Sequence, residues 1–341
     1  MPLPPPRLID LHVDWLLQYA HETTLFDPAL YPGVPGRLGQ VEGYLGATRA
    51  AVLACSRSAE DWARQADPWA ALGSLIARVE AEFAGRLLIG PVDVARWRAE
   101  PEDALTWGLI GIEGFDPLIR APGDLDHLPV LFERGVRLFQ PVQGPASALG
   151  GSSAPGDDRG LTDLGRAFLQ ALLDLSPTEN GPRPLLDLAH LNPMAASDVL
   201  GWFEADADRA RRLIPVYSHG ALWHEGCPLP RAITAENLRR LRALGGVIGL
   251  SISPPFYAST ETLQAGIETA ASIPFQGRSG YEGIAIGTAV LGHDQTAPGL
   301  GQAPEIIQWL STTFEPVAAS ALIQGNARLL LERAAGGTKA Y

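Results

Sequence analysis

Short runs of apolar residues, most of them closed by a polar residue, recur along this 341-residue chain. They lie near 7–12, 49–55, 107–112, 135–140, 184–189, 214–218, 246–250 and 283–287. Most are continuous rather than alternating in hydrophobicity, which suits strands buried on both faces of a parallel sheet. Helical patterns fill the intervals. Asp67-Pro68 opens one that runs to about Phe83, with proline at the first helical position, where its missing N–H costs nothing. Thr162 is placed to cap a helix over 163–175 and Ser197 one reaching about 204. Thr234 is placed to cap a helix over 235–243, which Gly245 ends. Eight strands alternating with helices predict an α/β fold, a (β/α)8 TIM barrel, with 1–341 read as one domain. The alternative is an open doubly wound sheet. Its dinucleotide-binding version is weakened because no Gly-x-Gly-x-x-Gly follows the first strand.

The most irregular stretch is 141–160, rich in glycine, proline and serine. It follows the fourth strand, so in a barrel it hangs over the C-terminal face, as a lid or pocket wall rather than a passive loop. Residues 336–341 read as a flexible tail.

Composition narrows the picture. The chain is 46% hydrophobic and 19% charged, ample for a large core. A net charge of −12 argues against nucleic acid or an anionic membrane surface as a partner. No apolar run approaches the ~20 residues of a membrane span, and Met1 to Arg7 lack the apolar core of a signal peptide. Cys55 and Cys227 lie far apart and offer neither a disulfide framework nor a cysteine zinc site. That suits a reducing compartment, so the expected location is cytoplasmic. The single lysine, Lys339, argues against Schiff-base aldolases, pyridoxal enzymes, phosphate-loop NTPases and carbamylated-lysine metal sites.

The first run ends Asp10-Leu11-His12-Val13-Asp14. Strand side chains alternate faces, so His12 and Asp14 point the same way. Imidazole plus carboxylate is a ligand pair for a divalent metal. His190, His219 and Glu113 also close apolar runs. Singly, each is more often a satisfied polar or capping residue. Five of them at the ends of strands one, three, five and six converge on one barrel face. Three imidazoles and two carboxylates can bind two metals if one carboxylate bridges. Two metals about 3.5–4 Å apart share and acidify a water. His21, His127, His224 and His293 sit in helical or loop context and read as surface or supporting residues.

With these segments in view, the chain resembles the membrane (renal-type) dipeptidase family of the amidohydrolase superfamily over nearly its whole length. The likeness is carried by Ile9-Asp10-Leu11-His12-Val13-Asp14, Gly111-Ile112-Glu113-Gly114, Gly135-Val136-Arg137 and Gly160-Leu161-Thr162-Asp163-Leu164-Gly165. It continues through Asp187-Leu188-Ala189-His190, Ser218-His219, Arg231-Ala232-Ile233-Thr234, Gly245-Gly246-Val247 and Gly325-Asn326. The resemblance implies a (β/α)8 hydrolase with two divalent ions, zinc in the family, acting on dipeptides or other small amides. Imidazole and carboxylate also suit iron, cobalt and manganese. By resemblance, His12 and Asp14 hold one metal, His190 and His219 the other, and Glu113 bridges both as the catalytic centre. Arg231 falls where the family receives the substrate's terminal carboxylate, and a guanidinium suits that by donating two parallel hydrogen bonds. On sequence alone, Arg231 is equally a surface arginine flanking a helix. Family members are often dimers, which makes a homodimer the assembly to test.

Two departures bear on chemistry. Gln143 stands where the family has a histidine that contacts the scissile carbonyl; its amide can donate a hydrogen bond but carries no positive charge. At the end of strand eight, Gly287-Thr288-Ala289-Val290-Leu291-Gly292 replaces Gly-Ser-Asp-Phe-Asp-Gly. The family's proton-handling aspartate is thus Ala289, and its second aspartate is Leu291. Losing a positioned general base costs about 10²–10⁴ in rate. His293 and Asp294 are the nearby substitutes, and Phe115 stands where the family commonly has glycine. Three functions therefore compete: a dipeptidase-type hydrolase, a catalytically silent relative that keeps its metals or ligand pocket, and an amidohydrolase of another reaction, such as lactone or N-acyl hydrolysis.

Overall fold

The computed structural model describes residues 6–20, 24–31, 44, 46–102, 104–176, 178, 181–224, 229–254, 256–293 and 295–337. His21, Cys227, Asp294, Met1 to Pro5 and 338–341 of the tail lie outside the described residues. The strands are β1 (Leu8–Val13), β2 (Thr48–Cys55), β3 (Trp107–Glu113), β4 (Val136–Gln140), β5 (Leu185–Asp187), β6 (Ile214–Tyr217), β7 (Val247–Leu250) and β8 (Ile284–Ile286). All are parallel, pair in sequence order, and close when β1 meets β8 at Asp10 and Ile286. This is the (β/α)8 barrel that the apolar runs predict. Every strand residue is buried, as expected where sheet and helices both exclude water.

The helices are α1 (Ala59–Arg64), α2 (Pro68–Glu82), α3 (Pro91–Ala99), α4 (Leu128–Glu133), α5 (Asp163–Asp174), α6 (Pro193–Glu204), α7 (Arg209–Arg212), α8 (Ala235–Ala243), α9 (Thr260–Ser272), α10 (Ala303–Thr313), α11 (Pro316–Ser320) and α12 (Asn326–Ala334). Asp67, Thr162 and Thr234 cap α2, α5 and α8, each side chain accepting a backbone N–H of the first turn. The cap expected at Ser197 is corrected. The cap is five residues earlier, at Asn192, with Pro193 as the first residue of α6, and the Asn192 side chain accepts from Ala195 N at 2.8 Å. Ser197 lies within the helix and accepts from Arg240 at 2.8 Å.

Leu72, Leu75, Ile76 and Val79 of α2 share an apolar cluster with Leu53, Ile110 and Ile112. The other strand face contributes Ile9, Leu11, Val52, Leu109 and Leu138 to a second cluster, joined by Leu330 and Leu331 of α12. Glu113 lies on the same face as Leu109, four residues on, and so points to the barrel axis. On β1 the step from Asp10 to Val13 is matched by only Ala51 to Leu53 on β2. That one-residue bulge re-aims the side chains between Asp10 and Val13, as bulges do beside sites.

The 141–160 stretch is folded back on the C-terminal face. Gly150 bridges Leu161 and Ser152 bridges Leu191. Ser153 N donates to the His190 carbonyl at 2.8 Å, and Asn192 donates to the carbonyls of Asp157 and Arg159 at 2.7 and 2.9 Å.

Candidate metal centre

Five side chains meet at the C-terminal mouth of the barrel. Glu113, the last residue of β3, divides its carboxylate between two sides. Oε2 lies 3.5 Å from His12 Nε2, whereas Oε1 lies 3.1 Å from His190 Nε2 and 3.7 Å from His219 Nε2. Asp14 Oδ2 lies 3.7 Å from His12 Nε2, so the two ends of the His-x-Asp pair do converge. All five are buried or nearly so, and the ligand atoms of His12, Glu113 and His219 lie within 4.8 Å of one another.

The surroundings fix these side chains. Asp187, fully buried on β5, accepts from Ser218 N at 2.9 Å and from the Ser218 hydroxyl. That hydroxyl has spent its proton, so Ser218 Oγ can only accept from His219 Nδ1, 2.8 Å away. The His219 proton then sits on Nδ1 and its Nε2 lone pair faces Glu113, the arrangement found for metal-ligating histidines. Ser218 fits because glycines flank its carbonyl: a Cβ on Gly249 or Gly287 would collide with it. On β1, Asp10 accepts from His12 N at 3.1 Å, from Thr288 N at 3.0 Å, and from the hydroxyls of Thr288 and Tyr44. Asp14 accepts from Ser56 at 3.3 Å and occupies the space that a Cβ on Gly292 would take. His190 holds a left-handed backbone, φ 66°, which is strain of the kind concentrated at functional sites.

Electrostatics separates the histidines. Burial, with Arg231 adding, pushes His190 down to about 4 and His219 well below its ordinary value. Burial works the same way on His12, but the charges of Glu113 and Asp14 outweigh it and raise its pKa well above the usual range. Glu113 is the converse: burial opposes its charge, yet His12 and His190 hold it well below.

The donor set fits divalent cations. His190 and His219 point Nε2 atoms at each other across 3.1 Å and both toward one carboxylate oxygen. Neutral imidazoles with converging lone pairs repel unless a proton or cation lies between them. His12 Nε2 is fully buried and, among the described residues, has no hydrogen-bond partner, its nearest carboxylate oxygen being Glu113 Oε2 at 3.5 Å. Nitrogen and carboxylate oxygen donors of this kind suit several divalent metals.

The remaining predicted residues surround this cluster. Gln143 N donates to Asp116 at 2.7 Å, and its side chain lies against Gly114, beside Glu113. Arg231 is half-buried with its guanidinium 4.8 Å from the Phe256 ring centroid, and its charge acts on His190 and His219. Arg231 also lies just before the Thr234 cap of α8. Ala289 has φ 51°, its N donates to the His12 carbonyl at 2.9 Å, and its side chain lines a cavity of about 360 Å³ with Trp15, Tyr44 and half-buried His293. Phe115 turns away into the core, against Phe139 and Phe168. Sequence reasoning missed Asp10, Asp187, Ser218 and Asp116 as supporting groups. The spacing of Asp10 two residues before His12, and of Asp187 three before His190, was the available signal.

Over 98% of its length the chain matches a solved dipeptidase described as a metallopeptidase of family M19, covering 100% of that chain at TM-score 0.70 and 19% identity. The chain has the fold of these dipeptidases. A metallopeptidase from Rhodobacter sphaeroides, liganded with a phosphinate mimic of the dipeptide L-Ala-D-Ala, matches over 97% of this chain and 100% of that one, at TM-score 0.69 and 19% identity. The probable dipeptidase PvdM from Pseudomonas aeruginosa matches over 98% and 96%, at TM-score 0.71 and 15% identity. In sequence, an uncharacterized protein encoded in the pqqA 5′ region of Klebsiella pneumoniae is 27% identical over 185 residues, which span 54% of this chain and 62% of that relative. No family model matches the chain. Among the described residues, no helix is long and apolar enough to cross a membrane.

Proposed function

We propose that this chain is a metal-dependent hydrolase of small amides, with dipeptides as the first substrate class to test. The observation that carries the reading is the division of the Glu113 carboxylate, one oxygen toward His12 and the other toward His190 and His219. In this reading His12 and Asp14 would hold one cation and His190 and His219 a second, with Glu113 shared between them. Zinc is the favoured metal. Such cations supply Lewis acidity and acidify water at neutral pH. The chain's own residues do the rest. Ser218 and Asp187 keep the His219 lone pair aimed inward. The Arg231 guanidinium donates to a substrate carboxylate, and the Gln143 amide donates to the carbonyl under attack. The dipeptidases of the same fold support a small-molecule substrate.

A second reading has its own support. Ala289 offers no acid or base where the strand-eight loop faces the cavity. A silent relative that retains cations is therefore the competing function. Elemental analysis of purified protein and a panel of L-L and L-D dipeptides with added zinc separate the two. Bound metal with turnover supports the hydrolase. Bound metal with no turnover, and activity appearing in Ala289→Asp, supports silence through loss of the base. Protein that binds no metal under any of these conditions overturns both.

A further inference from the structure

The barrel's opposite end carries a basic pocket, separate from the candidate metal centre. A pocket of about 230 Å³ opens where β5 to β8 begin, and α12 forms one wall. The chain places one arginine at the start of each of these strands: Arg183 before β5, Arg211 before β6, Arg242 before β7 and Arg278 before β8. Arg333 of α12 is the fifth. Among the described lining residues Glu282 is the single carboxylate, and it is already paired with Arg278 at 2.8 Å.

Part of this cluster is structural. Arg242 is buried and donates to the carbonyls of Glu282, Ala270, Ile273 and Gly280. Arg183 donates to the Arg211 carbonyl at 3.0 Å, and Arg333 to that of Gly245 at 2.6 Å. Carbonyl dipoles satisfy N–H groups but do not cancel charge. Burial lowers Arg242 only to about 10, so it stays cationic at neutral pH. Among the described lining residues five arginines thus stand against one carboxylate, in a protein whose net charge is −12. Concave, partly desolvated surfaces of one sign concentrate the opposite ion. The Arg211 guanidinium stands exposed at the edge, with no hydrogen bond or ion pair among the described residues. Guanidinium groups match tetrahedral oxyanions through paired N–H donors. The volume exceeds that of several waters, at about 30 Å³ each, so a phosphate carrying a small organic group also fits.

We propose that this pocket binds a phosphate-type oxyanion, free or as a small phosphate monoester. In barrels the N-terminal face ordinarily serves stability. An anion here does so directly, because it ties the starts of four strands to the C-terminal helix.

The test uses the intact, metal-loaded protein, titrated with inorganic phosphate and with glycerol phosphate, against chloride at equal ionic strength. The readouts are calorimetric binding and Tm. At about 10 mM anion the expected result is saturable binding and a Tm rise of a few degrees, absent with chloride. Arg211→Gln/Arg278→Gln, both at exposed positions, should weaken binding at least about tenfold and remove the rise. A tighter response to glycerol phosphate assigns the pocket to a monoester, and an equal response assigns it to free phosphate. A response unchanged in the double variant would belong to the metal centre and overturn the proposal, as would no response beyond that to chloride.

Discussion

At the scale of single residues, the candidate centre depends on carboxylates that are not themselves predicted ligands. Asp187 does most to define His219, because its charge takes the Ser218 proton and so leaves Oγ as an acceptor. In Asp187→Asn, an amide donor can face Ser218 N and the hydroxyl is no longer committed. We expect metal affinity to fall about 10–100-fold, the range for lost supporting hydrogen bonds, with unchanged far-UV circular dichroism. Competition against a chromophoric chelator measures it, and unchanged affinity would remove Asp187 from the site. Asp116 makes a different prediction. Burial, with the charge of Glu113 adding, raises its carboxyl from 3.8 to about 6, against the pull of the Gln143 and Gly144 amides. The folded state therefore binds this proton more tightly than the unfolded chain. Stability from this group is present below the unfolded value and declines as pH rises from about 4 to 6. Chelator-treated Asp116→Asn should show a flatter stability profile across that window. Urea denaturation at stepped pH reads it, and parallel profiles for variant and parent would contradict the assignment.

At the scale of elements, strands were the most legible part of the chain. Observed strand ends fall within about two residues of the apolar runs, since continuous burial leaves little freedom in where a strand can lie. The Thr234 cap and the helix over 235–243 were equally plain. The β1 bulge was not readable, because it exists only in the pairing of Asp10 to Val13 against β2. Asp10 and Asp187 were hidden for a related reason: each sits inside an apolar run, and its side-chain partners, Thr288 and Tyr44 for Asp10 and Ser218 for Asp187, arrive from distant parts of the chain. The start of α6 was misread although Asn192-Pro193 carries a cap followed by proline at the first position. That helix supplies the next prediction. Asn192→Ala removes both the cap and the two bonds to the 141–160 loop, at an expected cost of about 2–3 kcal/mol. Ser197→Ala should cost less than about 1 kcal/mol. Chemical denaturation compares them. Limited proteolysis adds a local readout: faster cleavage near the exposed Pro155 and Gly156 in Asn192→Ala alone. Equal effects of the two substitutions would mean that Asn192 does not tie the loop to α6.

At the scale of the whole molecule, the candidate centre also works as a closure device. Its proposed ligands arrive from β1, β3, β5 and β6, and their carboxylate supports stitch further pairs: Asp10 joins β1 to the end of β8, and Asp187 joins β5 to β6. Burying Asp10 and Asp187 raises both carboxyl pKa values, so these links carry a desolvation cost that their hydrogen bonds offset only in part. The His190 and His219 nitrogens, 3.1 Å apart, add repulsion when neither a proton nor a cation lies between them. Cations that bind only the folded state stabilise it by RT ln(1 + [L]/Kd), about 4 kcal/mol at a thousandfold excess over Kd. For a domain of this size that corresponds to a Tm change of roughly 5–15 °C. A strong chelator should therefore lower Tm by that order, and added zinc should restore it. In Glu113→Ala the two sides of the centre lose their common carboxylate, so chelator and zinc should leave Tm nearly unchanged. A parent protein whose Tm ignores both chelator and zinc would show that the barrel holds its mouth together without metal, and the two-cation reading of Glu113 would fail with it.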